Sequence, residues 1–271
     1  MLDTIRKLLE QEGIRLTAPI LLEDCRLCRG YLLDRVGIRT GTAILLAVPY
    51  VPHPYERQNL SVYAAVRDYH LYFRQLFDRL LPILRDRYPA HRFAGFADHS
   101  PIDEIDAALR TGLGVRGDHG LLLTEAYSSY VFLGEIITNA ILPTSLREPG
   151  ECLHCGACRR ACPVALDKTR CLSALTQKKG TLTPDEEILL DAHPLVWGCD
   201  TCQEACPYTA AAARNGTLYD TPPFFRAEVL PYLTAEQVER MDREAFESRA
   251  YAWRGPAVIL RNLKRKENDH T

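Results

Sequence analysis

Cys152-Leu153-His154-Cys155-Gly156-Ala157-Cys158-Arg159-Arg160-Ala161-Cys162-Pro163 and Cys199-Asp200-Thr201-Cys202-Gln203-Glu204-Ala205-Cys206-Pro207 decide how this chain is read. The first has the spacing C-x2-C-x2-C-x3-C-P, and the second repeats it without the first thiolate. Spacing this tight lets one loop offer three corners of an iron–sulfur cubane, while the last Cys, on the following helix, points toward the other cluster. One [4Fe–4S] cluster is therefore expected on Cys152, Cys155, Cys158 and Cys206. The other is expected on Cys162, Cys199, Cys202 and one further thiolate, for which Cys171 is the natural candidate. Pairs of C-x2-C also hold zinc, but zinc motifs rarely carry three thiolates at two-residue gaps ending in Cys-Pro, here twice. Two clusters in one small module usually serve electron transfer.

The composition, 46% apolar and 25% charged over 271 residues, is that of an ordinary globular protein. No apolar run reaches membrane-spanning length, and the charged amphipathic start Met1 to Arg6 lacks the apolar stretch of a secretory signal. A cytoplasmic protein with no membrane partner is expected, and in that reducing compartment ten cysteines mean ligation before disulfides. A net charge of −2 gives no general attraction to phosphate backbones. The local exception is the basic end Arg261, Lys264, Arg265 and Lys266, although a short charged tail is more often a solvated helix end.

On the N-terminal side of the cysteines, strand and helix patterns alternate. Leu2, Ile5, Leu8 and Leu9 have helical spacing and stop at Gly13, and Thr42 to Pro49 reads as a buried strand. A helix is expected from Val62 to about Leu84 with Ser61 as N-cap, then a strand over Arg92 to Ala97, which puts Asp98 just past a strand end. Ser100-Pro101 is expected to start another helix, closed by Gly112 and Gly114. The apolar segments Leu121 to Leu123 and Tyr130 to Ile137 follow. An α/β layer domain up to about Pro143 results. After Cys206, Pro222-Pro223 suggests a connector before a polar helix over Ala235 to Ala250.

Three further features have two readings. Cys25 and Cys28 form a lone C-x2-C, either a redox pair, half a metal site, or two buried apolar thiols, the last being favoured. His70 and His99 are potential metal ligands, but an isolated His is more often a core or surface residue. Asp98, taken alone, is a turn residue or helix cap.

In order along the chain, Tyr63-Ala64-Ala65-Val66-Arg67-Asp68-Tyr69-His70, Ala97-Asp98-His99-Ser100-Pro101, Gly112-Leu113-Gly114, Phe132-Leu133-Gly134-Glu135 and Gly198-Cys199-Asp200-Thr201-Cys202-Gln203 form a specific set. Together with the cysteine block and Arg170 to Thr176 they resemble the epoxyqueuosine reductase family, the cobalamin and iron–sulfur enzymes of tRNA queuosine synthesis. The resemblance runs from about Tyr63 to Pro207. It implies an α+β fold: a nitroreductase-like cobalamin-binding domain over 1–147, a bacterial-ferredoxin-like double [4Fe–4S] domain over 148–212, and a helical tail over 213–271. It makes Asp98 the proton donor and places Tyr63, Arg67, Asp68, His70, Leu133 and Asp200 at the cobalamin, with no histidine needed on cobalt. It also supplies Cys171 as the eighth cluster ligand, tRNA as substrate, and a reduced flavodoxin or ferredoxin as electron donor to a monomer.

Three departures stand out. The motif usually read as Gly-Leu-Gly-Trp-x-Gly-Lys is Gly112-Leu113-Gly114-Val115-Arg116-Gly117-Asp118 here, losing an aromatic and a basic residue. The part before Tyr63 resembles the family poorly. Of the helical repeats that grip tRNA, only Ala257 to Leu263 matches, as their beginning. Two alternatives therefore stand beside the leading expectation: the same machinery acting on a different small substrate, and a ferredoxin-like carrier without corrin.

Overall fold

The computed structural model describes residues 1–268. Its strands are β1 (Leu16–Leu21), β2 (Thr42–Pro49), β3 (Phe93–Phe96), β4 (Val115–Arg116), β5 (Leu122–Leu123), β6 (Val131–Thr138) and β7 (Gly150–Glu151). β2 is apolar along nearly its whole length because it is buried at all eight positions. Ile44, Leu46 and Val48 face one apolar cluster, with Ile5 and Leu9 of helix Leu2–Gln11 and Phe73, Leu76 and Leu80 of helix Tyr69–Arg87. Ala43, Leu45 and Ala47 face another, with Leu33 and with Ala107 to Leu109 of helix Glu104–Arg110. The alternation of a strand between two helical layers thus gives a mixed α/β sandwich.

The sheet order is β1-β2-β6-β3, antiparallel throughout, with Leu45 opposite Glu135 and Phe96 opposite Glu135 from the other side. β1, which the sequence patterns did not reveal, carries Pro19 and lies at the sheet edge, where a missing N–H costs no ladder bond. A small second sheet, β5-β4-β7, joins the altered Gly112–Asp118 loop to the cysteine block: Val115 and Arg116 pair in parallel with Gly150 and Glu151.

Three expected helices differ in their bounds. The one anticipated over Val62 to Leu84 is two, Val62–Ala65 and Tyr69–Arg87, broken by extended backbone at Val66. Ser61 does not cap the first of them, whereas Asp68 caps the second by accepting from the His70 N–H. Arg67 and Asp68 therefore lie in the break. The helix expected at Ser100 begins at Glu104, because the Asp103 carboxylate caps it through the Asp106 N–H at 2.9 Å. The polar segment after Thr234 is likewise split, Ala235–Arg240 and Arg243–Glu247, by Asp242 accepting from the Ala245 N–H.

Residues beyond 212 pack against both earlier parts. Phe225 is fully buried in the cluster under the sheet. Leu233, Tyr251, Ile259 and Leu263 enclose Trp197 together with Leu60 and Ala64. The buried Asn262 amide donates to the Thr176 and Val196 carbonyls at 2.7 and 2.8 Å, fixing helix Pro256–Asn268 to the segments around Cys171 and Cys199. Residues 269–271 of the expected tail lie outside the described residues.

Candidate active site

The eight clustered cysteines sort into two sets of four. One cavity is lined by Cys152, Cys155, Cys158 and Cys206, a second by Cys162, Cys171, Cys199 and Cys202. Each set draws on both cysteine runs, because Cys162 and Cys206 each terminate a run and sit beyond the turn that its other thiols share. Left-handed backbone at His154, Gly156, Ala165 and Leu166 folds the loops tightly enough for this. All ten cysteines are free thiols.

Burial raises the Cys202 thiol to about 12, and the neighbouring Cys199, Cys162 and Cys171 add to it. Cys206 is raised by burial and by Cys155 and Cys152, against N–H groups of Tyr208 and Thr209 at the start of helix Pro207–Arg214. Such crowding opposes ionisation unless a cation shares the cavity, so an all-sulfur set of four fits thiolate-bound iron.

The loop after β3 carries Asp98, whose φ of 61° is in the left-handed region. Its carboxylate is 67% exposed and lies 3.6 Å from His70 Nε2. His70 Nδ1 is bonded to Asp68 at 2.8 Å, and this, with Asp98 nearby, raises the imidazole's affinity for a proton despite partial burial. Beside them Tyr69 stacks on Phe132 at 4.5 Å, whereas Leu133 turns to the opposite face of the sheet and the Arg67 guanidinium lies over Phe224 at 4.4 Å. His99 contacts Tyr31 instead, Nε2 to hydroxyl at 3.1 Å.

Tyr63 and Asp200 sit elsewhere. Tyr63 is deeply set, its hydroxyl accepting from the Gln177 amide at 3.1 Å. Asp200, only 1% exposed, accepts the Val62 N–H at 2.7 Å and the Gln203 amide at 3.1 Å. Burial lifts its pKa to about 7. It ties the second cysteine run to the first turn of helix Val62–Ala65.

Two features had no sequence signal strong enough to single them out. Behind the Asp98 loop, Glu135 and Glu104 form a buried carboxyl pair, both held above the usual range, chiefly by burial. The Ser100 hydroxyl donates to Glu135 Oε1 at 2.5 Å, and one oxygen of each carboxyl is otherwise buried without a partner. The pair is satisfied when one proton is shared between them. The second feature is His119, in the loop where the family motif is altered, which lines both cysteine cavities.

Cys25 is an inert thiol: burial, then Asp24 and Glu135, push it up to about 12, and its sulfur donates to the Leu21 carbonyl. The basic end is internally committed. Arg265 pairs with Glu187 and Asp191, Lys264 with Glu239, and Arg261 donates to the Lys178 and Gly180 carbonyls.

No family model matches the chain. Individual proteins do. It is 34% identical over 204 residues to an epoxyqueuosine reductase of Listeria monocytogenes, covering 72% of this chain and 53% of that one. It is 31% identical over 195 residues to that of Gloeobacter violaceus, covering 69% and 61%. The chain thus spans between half and two thirds of these curated relatives. The Streptococcus thermophilus epoxyqueuosine reductase structure superposes with a TM-score of 0.79 at 23% identity, over all of this chain and 82% of that one. An epoxyqueuosine reductase solved with an epoxyqueuosine-modified tRNA-Tyr stem loop gives 0.70 at 22% identity, over 98% of this chain and 81% of that one. In the sequence they share and in fold, the chain is a relative of the epoxyqueuosine reductase family.

Proposed function

We propose that this protein is an iron–sulfur and cobalamin-dependent reductase that converts epoxyqueuosine to queuosine in tRNA. The observation that carries the reading is the sorting of seven thiols from two runs, with Cys171 between them, into two sets of four. Cys152, Cys155, Cys158 and Cys206 would hold one [4Fe–4S] cluster and Cys162, Cys171, Cys199 and Cys202 the other, passing electrons from a reduced flavodoxin or ferredoxin. In this reading residues 1–147 form the nitroreductase-like half, 148–212 the ferredoxin-like half and 213–271 the tail, in a cytoplasmic monomer.

The face bearing Tyr69, Phe132 and His70 is aromatic and apolar with polar edges, which suits a flat macrocycle. Its imidazole is engaged between Asp68 and Asp98, so it is not free to ligate a metal. When bound there, cobalamin supplies the reducing power for loss of the epoxide oxygen. Asp98 holds the proton that the departing oxygen takes from its carboxyl. His70, oriented by Asp68, is placed to return a proton to Asp98 Oδ2. Exposed in the protein alone, Asp98 gains the desolvation a proton donor needs when cofactor and substrate cover it.

A different substrate is a second reading, favoured by one observation: the basic side chains of the last helix are already bonded within the protein. Anaerobic reconstitution with iron, sulfide and cobalamin, followed by mass spectrometry of tRNA carrying epoxyqueuosine, decides between them. Loss of 16 Da from the modified nucleoside, the oxygen atom, is the expected result. Reducible clusters and corrin without that loss would leave the second reading.

A further inference from the structure

His119 is held in a tight turn. The Gly117 N–H donates to the Leu121 carbonyl at 3.0 Å and the Gly120 N–H to the Gly117 carbonyl at 2.8 Å. The ring lies against Gly117, where an added Cβ would stand 2.6 Å from Cε1 and 3.0 Å from Nδ1 and Nε2. At this position the side chain is absent so that the imidazole can occupy its space.

The Leu121 N–H donates to Nδ1 at 3.1 Å. Nδ1 must therefore be the unprotonated nitrogen, which leaves the proton of the neutral ring on Nε2. Nε2 is fully buried and has no hydrogen-bond partner in the protein. A buried N–H without an acceptor is costly, so such groups are rarely left unmet. The one residue that lines both four-thiol cavities is thus an imidazole with an unspent donor.

We propose that His119 donates its Nε2–H to a sulfur atom of an iron–sulfur cluster at the partition between the two cavities and raises that cluster's reduction potential. This rests on the cluster assignment made above. Reduction adds negative charge to the cluster, so a hydrogen bond to sulfur favours the reduced form, and the potential is set partly by such bonds. The residue would bring the two clusters' potentials into the order that electron flow needs without ligating iron.

The test is an EPR-monitored redox titration of anaerobically reconstituted wild type, His119→Leu, His119→Gln and Gly117→Ala, with iron and sulfide measured in each. With full iron, His119→Leu is expected to lower the midpoint of one cluster. A tenfold change in its reduction equilibrium, 59 mV for one electron, is the size sought. Gly117→Ala, which evicts the ring, should shift the same signal the same way. His119→Gln, which keeps an N–H donor, should recover part of it. Unchanged midpoints in His119→Leu with both clusters intact overturn the proposal. Absence of clusters in the wild type would instead overturn the assignment on which it rests.

Discussion

Asp98, His70 and Asp68 form a line of polar side chains, and each end of it can be tested separately. Asp98→Asn should leave iron content unchanged and lower turnover by about 10²–10⁴, read in single-turnover assays with reduced enzyme. His70 binds its proton more tightly in the folded protein than the ordinary histidine value of 6.5. Its stabilising contribution is therefore complete below that value and is lost as pH rises through the folded one. Because the ring is about half exposed, solvent screening keeps this contribution small. Asp68→Asn should move the His70 titration, followed by NMR of the imidazole, to lower pH; an unmoved curve would refute the pairing. The Glu104–Glu135 pair has the opposite chemistry with a comparable sign. The pair keeps its shared proton in the fold at pH values where the unfolded chain, at an ordinary 4.5, has lost it. Their penalty therefore grows as pH rises above about that value, and stability falls. Glu135→Gln should flatten that limb of the denaturation-versus-pH curve, whereas a loss of stability uniform across pH would mean the pair shares no proton.

Elements show where sequence reading works and where local chemistry overrides it. Gly134 on β6 faces Phe73, and a Cβ there would stand 2.5 Å from the ring. Gly134→Ala should cost about 1–3 kcal/mol in urea denaturation through overpacking, with midpoint shifted and slope unchanged. β2 and β6 were legible because a strand with helices on both sides is mostly apolar, with Glu135 the exception in β6. β1 was not, since Pro19 counts against a strand until its edge position is known. The break at Val66 was hidden for a related reason: tyrosines and alanines continue the helical pattern across it, and only the Asp68 cap and the pairing of Arg67 with Arg249 interrupt it. The two cysteine runs were readable from their spacing, since ligand chemistry constrains gaps along the chain. Glu135 and His119 were not, because their significance depends on partners distant in sequence or on the absence of any. Asp200 belongs with these: the family resemblance places it at the cofactor, whereas its carboxylate is turned inward to the Val62 N–H.

At the scale of the whole molecule, the cysteine block is a joint, with the sheet on one side and the last helix on the other. If each terminal cysteine serves the set assembled from the other run, Cys206→Ala and Cys162→Ala should each remove about half the iron and abolish different EPR signals. Identical spectra from the two variants would contradict the exchange. The Asp200 tie has a consequence for how the protein comes into being. Leu60 bridges to Trp197, the Ser61 N–H donates to the Trp197 carbonyl at 2.9 Å, and the Val62 N–H reaches Asp200 at 2.7 Å. The start of the helix leading into the aromatic face is thus finished by residues that arrive more than a hundred positions later, within the thiol loop. Chain made under iron starvation would mature unevenly, its sheet complete but its aromatic face unseated. If iron is what orders the thiol loop, its supply would govern how the newly made chain matures.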